Sequence, residues 1–200
     1  MPEAKAWKPK PWWPVVAPQS LRGAVVGETP ADTVDATVGR VASLSLALVL
    51  GDVKKQNITA SLLITHTDGS RALTNITKLE LSQSYVRRQV RKGRSRLDDC
   101  FVAKLADGLT VKVKPFVMTK SKITKGQQTA MLKLGRTALS ELLSKLSWDG
   151  AVQGFVTFKL QRSLADVLKK ITPIKTAELR ALELTKEAVQ QLRVRAGRNF

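Results

Sequence analysis

The chain has 200 residues, of which 43% are hydrophobic and 25% charged, and its formal net charge is +18 at pH 7. This length and apolar content predict one folded domain with a hydrophobic core, and they exclude a disordered basic tail. So much positive charge repels itself in a compact protein unless an anionic partner lies nearby. Nucleic acid and an anionic membrane surface are therefore the two candidate partners.

Neither membrane insertion nor secretion is indicated by the sequence. The longest apolar stretch, residues 41–50, contains two serines and is shorter than the ~18 apolar residues of a membrane-spanning helix. The first residues, MPEAKAWKPKPWWP, lack the apolar segment of a secretory signal. Cys100 is the single cysteine, so an internal disulfide is impossible and a reducing compartment is favoured. We therefore expect a cytoplasmic protein that does not contact a membrane.

Residues 1–23 are predicted to form an extended arm. Five of the eight prolines lie in this segment, which excludes a regular helix and favours polyproline-like backbone. Three lysines alternate with three tryptophans, namely Lys5, Lys8, Lys10, Trp7, Trp12 and Trp13. Such residues can bind phosphates and stack on exposed bases. The alternative, which the sequence leaves open, is a linker whose tryptophans pack against the domain.

The region from residue 37 to residue 77 has the pattern of β-strands. It is rich in β-branched residues and contains turn signals at Gly51-Asp52 and over residues 67–70. A second hairpin is predicted over residues 95–119, with its turn at Asp107-Gly108.

In the second strand of that hairpin, valines alternate with lysines. Val111 and Val113 are predicted to face the core, and Lys112 and Lys114 are predicted to lie together on the opposite, basic face.

Between the two hairpins lies a strongly basic segment, residues 85–96. It contains Arg87, Arg88, Arg91, Lys92, Arg94 and Arg96, and no carboxylate occurs between Glu80 and Asp98. We predict a helix over residues 80–92, with Leu79, Val86 and Val90 on its apolar side and the first four cations on the neighbouring face. The other two cations follow Gly93 in a loop. Six neighbouring cations are best explained by bound phosphates, for which the planar guanidinium group is well suited.

The last third of the chain is predicted to be mainly helical. One helix covers residues 129–146, with an apolar stripe of Met131, Leu134, Ala138, Leu142 and Leu146. A second ends at Thr172-Pro173, with a stripe of Leu160, Leu164, Val167, Leu168 and Ile171. A short strand over residues 177–184 precedes a basic C-terminal helix or tail, residues 185–200, with Arg193, Arg195 and Arg198.

Catalytic patterns are sparse. One histidine, His66, and one cysteine cannot form a four-ligand zinc site. The chain has no glycine-rich phosphate loop and no nucleophile elbow. The adjacent carboxylates Asp98 and Asp99 could suggest a metal-dependent nuclease, but strand neighbours point to opposite faces. We expect them to pair with Arg94 or Arg96 instead, and we predict no metal, no cofactor and no enzymatic activity.

Several blocks of the sequence resemble the archaeal and eukaryotic small-subunit ribosomal protein family S3Ae. In order they are residues 27–29, 39–41, 51–52, 85–92, 95–99 (Ser-Arg-Leu-Asp-Asp) and 111–115 (Val-Lys-Val-Lys-Pro). The resemblance extends over roughly residues 12–184, and the length is similar to that of archaeal members.

This resemblance implies a structural protein on the platform of the small subunit, near the mRNA exit side. Its partners would be small-subunit rRNA and neighbouring platform proteins, with mRNA near the exit channel as a further candidate. The implied fold is α+β, with an antiparallel, β-barrel-like core and helices packed outside, in a single domain over residues 24–184.

The residues that we predict to contact rRNA are Lys5, Lys8, Lys10, Trp12, Trp13, Arg87, Arg88, Arg91, Lys92, Arg94, Arg96, Lys112, Lys114, Lys120 and Lys122. A free-standing RNA- or DNA-binding regulator is the alternative that the charge pattern alone would also allow.

Overall fold

The computed structural model describes residues 10–196 as a sheet of nine strands with six helices. The strands are β1 (Trp12–Val16), β2 (Val25–Pro30), β3 (Val41–Ser45), β4 (Ile58–Asp68), β5 (Arg71–Leu81), β6 (Arg96–Asp98), β7 (Phe101–Lys104), β8 (Thr110–Thr119) and β9 (Ile174–Leu184). The helices are α1 (Leu46–Leu50), α2 (Gln83–Gln89), α3 (Lys125–Ser144), α4 (Trp148–Val156), α5 (Lys159–Leu168) and α6 (Lys186–Ala196).

Strand β5 is the centre of the sheet. Strand β4 pairs along one of its edges, while β1 and β9 share the other edge, near Ala72 and near Leu79 respectively. Beyond these, β2 pairs with β1, β3 with β4, and β8 with β9, and both β6 and β7 lie on the far side of β8. Every pair is antiparallel except β1 with β5. The predicted combination of a mainly antiparallel sheet with packed helices is confirmed.

The sheet is not closed, so the barrel-like core remains a prediction. Strands β2 and β3 each have one unpaired edge within residues 10–196, and residues of both strands line a groove of about 220 Å³. The Arg40 guanidinium bridges the two strands at one point, where its Nη1 donates to Thr29 Oγ1 (2.8 Å) and to the carbonyl oxygen of Pro30 (2.7 Å).

Most of the predicted β structure is present. The hairpin β4–β5 turns just after Asp68, and β7–β8 turns at Asp107-Gly108. The exception is residues 46–50, which form α1 instead of continuing a strand. The Ser45 hydroxyl accepts a hydrogen bond from the Ala47 backbone (3.4 Å) and so caps this helix, and Gly51 (φ 69°) ends it in the left-handed region.

Helices α3 and α5 pack against each other, α5 on β9 and α3 on β7. In α5 the predicted residues Leu160, Leu164 and Leu168 are buried. In α3 the most buried positions differ from the predicted stripe, because they are Met131, Gly135, Leu139 and Leu143. Of the other predicted residues, Leu142 and Leu146 are half-buried against the core, and Leu134 is exposed. The reason is a close approach between the helices. A Cβ atom at Gly135 would lie 3.4 Å from Leu164 Cδ1. A prediction that considers only large apolar side chains does not include glycine.

The predicted arm, residues 1–23, does not remain apart from the domain over its described portion. Trp12–Val16 is strand β1, which pairs with both β2 and β5, and residues 19–21 form a 3₁₀ turn. Residues 1–9 lie outside the described residues. At the other end of the chain, the predicted terminal helix begins at Lys186.

Candidate nucleic-acid interface

The basic segment consists of part of a helix, a loop and the first residue of a strand. Helix α2 is shorter than the predicted helix over residues 80–92, because β5 continues to Leu81 and Val90 is already extended (ψ 123°). Ser82 caps the helix, and its hydroxyl accepts from the Tyr85 backbone (3.4 Å). Consequently two cations lie on the helix, three lie in the following loop and the last begins β6, in the order Arg87 and Arg88, then Arg91, Lys92 and Arg94, then Arg96.

Helix α2 is attached to the sheet through two side chains. Val86 is buried, and the Tyr85 hydroxyl donates a hydrogen bond to the carboxyl group of Glu178 on β9. Burial raises the pKa of Glu178 to about 7, although the hydrogen bond from Tyr85 opposes this shift. On the outer side, the Arg88 guanidinium lies 5.9 Å from the centre of the Tyr85 ring. Val86 and the contact between Tyr85 and Glu178 therefore connect the helix that carries Arg87 and Arg88 to the sheet.

The exposed cations of the basic segment are mostly not neutralised by acidic side chains of residues 10–196. Arg87, Arg91 and Lys92 are exposed and form no ion pair with any of residues 10–196. Arg88 donates one long hydrogen bond, to Asn57 Oδ1 (3.4 Å), and forms no ion pair with the described residues. Arg94 is half-buried, and its Nη1 has no hydrogen-bond partner in this part of the chain. These side chains can donate hydrogen bonds to phosphate oxygens without first breaking an ion pair.

The two adjacent carboxylates point to different arginines. Asp98 Oδ2 accepts from Arg96 Nε (2.5 Å), as predicted. Asp99 instead binds Arg136 of α3 through two hydrogen bonds (2.7 and 3.1 Å). Burial alone would raise the pKa of Asp99, but the Arg136 guanidinium and the Cys100 backbone amide hold it below its ordinary value. Within residues 10–196, no cluster of His, Cys, Asp or Glu could hold a metal ion.

Lys112 and Lys114 share one face of β8, and an acid on β9 lies between them. Their Nζ atoms are 3.9 and 2.9 Å from Glu183 Oε1, and the Lys114 side chain is 23% exposed. Sequence reasoning missed Glu183, which lies opposite Lys112 in the sheet. This face is therefore less positive than the alternation of lysines alone suggests.

Lys120 and Lys122 lie beside the basic segment. Both are exposed in the connection from β8 to α3. Hydrogen bonds from Ser95 hold this connection, since the Thr119 backbone donates to the Ser95 carbonyl (3.1 Å) and the Ile123 backbone donates to the Ser95 hydroxyl (3.1 Å).

The described residues of the predicted arm lie elsewhere. Strand β1 meets β5 near Ala72, nine residues from Leu81, which is roughly 30 Å along a strand. Lys10 Nζ is 3.5 Å from Asp32. Trp12 is 63% exposed, whereas Trp13 is half-buried and its indole donates to the carbonyl oxygen of Ala31 (3.1 Å). Lys5 and Lys8 fall outside the described residues.

One basic residue that sequence reasoning missed is Arg180. In the pairing of β8 with β9, Lys114 is opposite Ala181 and Pro115 is opposite Leu179, so Arg180 is an extra residue in a β-bulge. The signal was present in the sequence, because the buried leucines at 179 and 182 are three residues apart, which breaks the period of two.

Fold and surface together define the class of protein. One mainly antiparallel sheet with packed helices presents a basic segment in which the exposed Arg87, Arg88 and Arg91 form no ion pair within residues 10–196, a surface typical of nucleic-acid-binding proteins. Among residues 10–196, no helix combines the length and the apolar character needed to cross a membrane.

Comparison with known proteins identifies the family. Residues 3–188 match the sequence profile of the Ribosomal S3Ae family. A protein named small ribosomal subunit protein eS1 from Desulfurococcus amylolyticus is 31% identical over 173 residues, which cover 86% of this chain and 81% of that protein. Proteins of the same name from Saccharolobus islandicus and Saccharolobus solfataricus are 31% identical over 180 residues, 90% of this chain and 86% of theirs.

The chain belongs to the Ribosomal S3Ae family. The resemblance inferred from the sequence is confirmed, and with it the prediction of a structural ribosomal protein rather than an enzyme.

Proposed function

We propose that this protein is a constituent of the cytoplasmic small ribosomal subunit, where it binds small-subunit rRNA on the platform near the mRNA exit side. The observation that carries the proposal is the basic segment. Its six cations are presented by α2, the following loop and β6, and all except Arg96 have no ion-pair partner within residues 10–196. The names of the archaeal relatives support the assignment to the small subunit.

The arrangement suits an extended, structured RNA. Cations from α2, from its loop and from the connection after β8 form one surface, so a phosphate backbone can follow them over several nucleotides. Binding through many phosphate contacts is strongly salt-dependent, and it orients the protein on the RNA without reading sequence. Neighbouring platform proteins are the further partners that we propose, and mRNA near the exit channel is an additional candidate.

The proposal is tested by measuring how RNA affinity depends on salt. The double variant Arg87→Ala/Arg91→Ala should bind small-subunit rRNA more weakly, because both side chains are exposed on the basic surface. Each lost phosphate contact should reduce the slope of log affinity against log salt by ~0.7–0.9. The thermal unfolding transition should not change, since neither side chain is part of the core.

A matched control removes the same charge from α5, which is not part of the basic segment. Lys159 and Arg162 are exposed on α5, so Lys159→Ala/Arg162→Ala should leave the salt slope nearly unchanged. Equal losses of slope in the two double variants would mean that the basic segment is not the RNA interface.

A further inference from the structure

A cleft lined by three arginines lies beside α2. It encloses about 240 Å³ between the end of β5, helix α2, β6 and β9. The arginines are Arg87, Arg96 and Arg180, and the apolar part of the lining comes from Leu81 and Val86, both buried. A mainly polar lining with three guanidinium groups suits a ligand that carries negative charge and has a flat face on which a guanidinium group can stack.

Arg96 offers a planar surface to this cleft. Its Cζ lies 5.5 Å from the centre of the buried Phe116 ring, and its Nε donates to Asp98 (2.5 Å). Its side chain nevertheless remains 42% exposed. The guanidinium plane is thus supported by an aromatic ring, oriented by a carboxylate and still accessible. Such a plane is a surface on which RNA bases stack.

Arg180 reaches the cleft because of the β-bulge in β9. A bulged residue interrupts the alternation of side chains along β9. Arg180 therefore lines the cleft, while its neighbour Leu179 is buried in the core. Neither Arg87 nor Arg180 forms an ion pair within residues 10–196, and the acid in the lining, Glu80, already pairs with Lys78. Two charged side chains therefore remain available to a phosphate.

We propose that this cleft holds a single nucleotide extruded from an RNA helix, with its base stacked on Arg96 and its phosphate between Arg87 and Arg180. The inference rests on the proposed function, because the surrounding basic segment must hold the RNA. The deep major groove of an A-form helix is closed to side chains. A base can therefore enter the cleft only after it leaves the stack, as in a bulge or loop.

The test compares two labelled RNA hairpins of the same stem, one fully paired and one with a single bulged 2-aminopurine. The full-length wild-type protein should bind the bulged hairpin about tenfold more tightly, since stacking of one base contributes on that scale. The 2-aminopurine fluorescence should fall when the base stacks. Arg96→Lys keeps the charge but removes the plane, so it should abolish the preference by weakening binding of the bulged hairpin far more than binding of the paired hairpin.

Two further variants separate the cleft from general charge and from misfolding. Arg180→Ala, on a different strand, should also abolish the preference for the bulged hairpin. Arg162→Lys makes the same chemical change as Arg96→Lys at an exposed site on α5, and it should preserve the preference. Adenosine monophosphate alone should compete at least a hundredfold more weakly than the bulged hairpin, because it lacks the contacts of the basic segment.

The possible outcomes distinguish the two proposals. Equal binding of both hairpins by the wild-type protein, or a preference that survives Arg96→Lys, would overturn the cleft proposal alone. Competition by adenosine monophosphate at the affinity of the bulged hairpin would make the cleft a site for free nucleotides and would also overturn it. If the wild-type protein bound neither hairpin at low salt, the proposed function would fail together with the cleft.

Discussion

Replacing Glu178 by glutamine should stabilise the protein at pH 8 and have little effect below pH 4.5. Burial beside α2 raises the pKa of Glu178 from an ordinary value of 4.5 to about 7. The folded protein therefore holds this proton more tightly than the unfolded chain does. The resulting stabilisation is complete below pH 4.5 and is lost as the pH rises through about 7.

The magnitude follows from the two pKa values. The difference between 4.5 and about 7, at ~1.4 kcal/mol for each pH unit, corresponds to on the order of 3 kcal/mol of unfolding free energy. Glutamine has nearly the same shape and can still accept the hydrogen bond from Tyr85, but it carries no charge. The variant should therefore keep at pH 8 the stability that the wild-type protein loses.

The assay is urea unfolding of both proteins at several pH values from 4 to 8, at constant ionic strength. Other carboxylates titrate equally in both proteins, so the difference in unfolding free energy isolates Glu178. Glu141→Gln, at an exposed position on α3, is the control for removing one carboxylate away from this contact. A constant difference between wild type and Glu178→Gln over this range would refute the reasoning.

Three further substitutions test other contacts. Glu183→Gln removes the acid beside Lys112 and Lys114, so it should strengthen RNA binding. The slope of log affinity against log salt, measured between 50 and 200 mM salt, should become steeper by up to ~0.9 for each of these lysines. Trp148→Phe should lower the unfolding free energy by ~1–3 kcal/mol, because the indole no longer donates to the Ile76 carbonyl (3.0 Å) and leaves it unpaired in the core. Gly126→Ala should raise the unfolding free energy by ~0.4–1 kcal/mol, measured as a higher melting temperature. A Cβ atom there meets no atom within 4 Å, and alanine is a better helix former in α3 than glycine.

Features set by neighbouring residues were predictable from the sequence. The turn at Asp107-Gly108 and the alternation in β8 each depend on a few adjacent residues, and both appear where the sequence predicts them. In α5 the predicted Leu160, Leu164 and Leu168 are buried, because they are large apolar residues at helical spacing, whereas the predicted Ile171 lies beyond the end of the helix. In α3 the same reasoning failed at Gly135, whose burial comes from its lack of a side chain.

Features set by contacts between distant residues were not predictable. Tyr85 and Glu178 lie far apart in the sequence, so the contact that attaches α2 to the sheet depends on the position of β9. The neutralisation of Lys112 and Lys114 by Glu183 likewise depends on the pairing of β8 with β9. The cleft at Arg180 requires a β-bulge in β9. The spacing of Leu179 and Leu182 is compatible with a bulge, but it does not show at which residue the bulge lies.

The central claim is that this protein is a lasting part of the small ribosomal subunit, and sedimentation tests it most directly. A tagged full-length chain is expressed in its own host, and the lysate is separated on a sucrose gradient before and after a high-salt wash. We predict that the chain migrates with small subunits in both gradients and that Arg87→Ala/Arg91→Ala shifts it toward the top after the wash. A wild-type chain that leaves the subunits at high salt, or that migrates as free protein from the start, would contradict the claim and favour a free-standing RNA- or DNA-binding regulator.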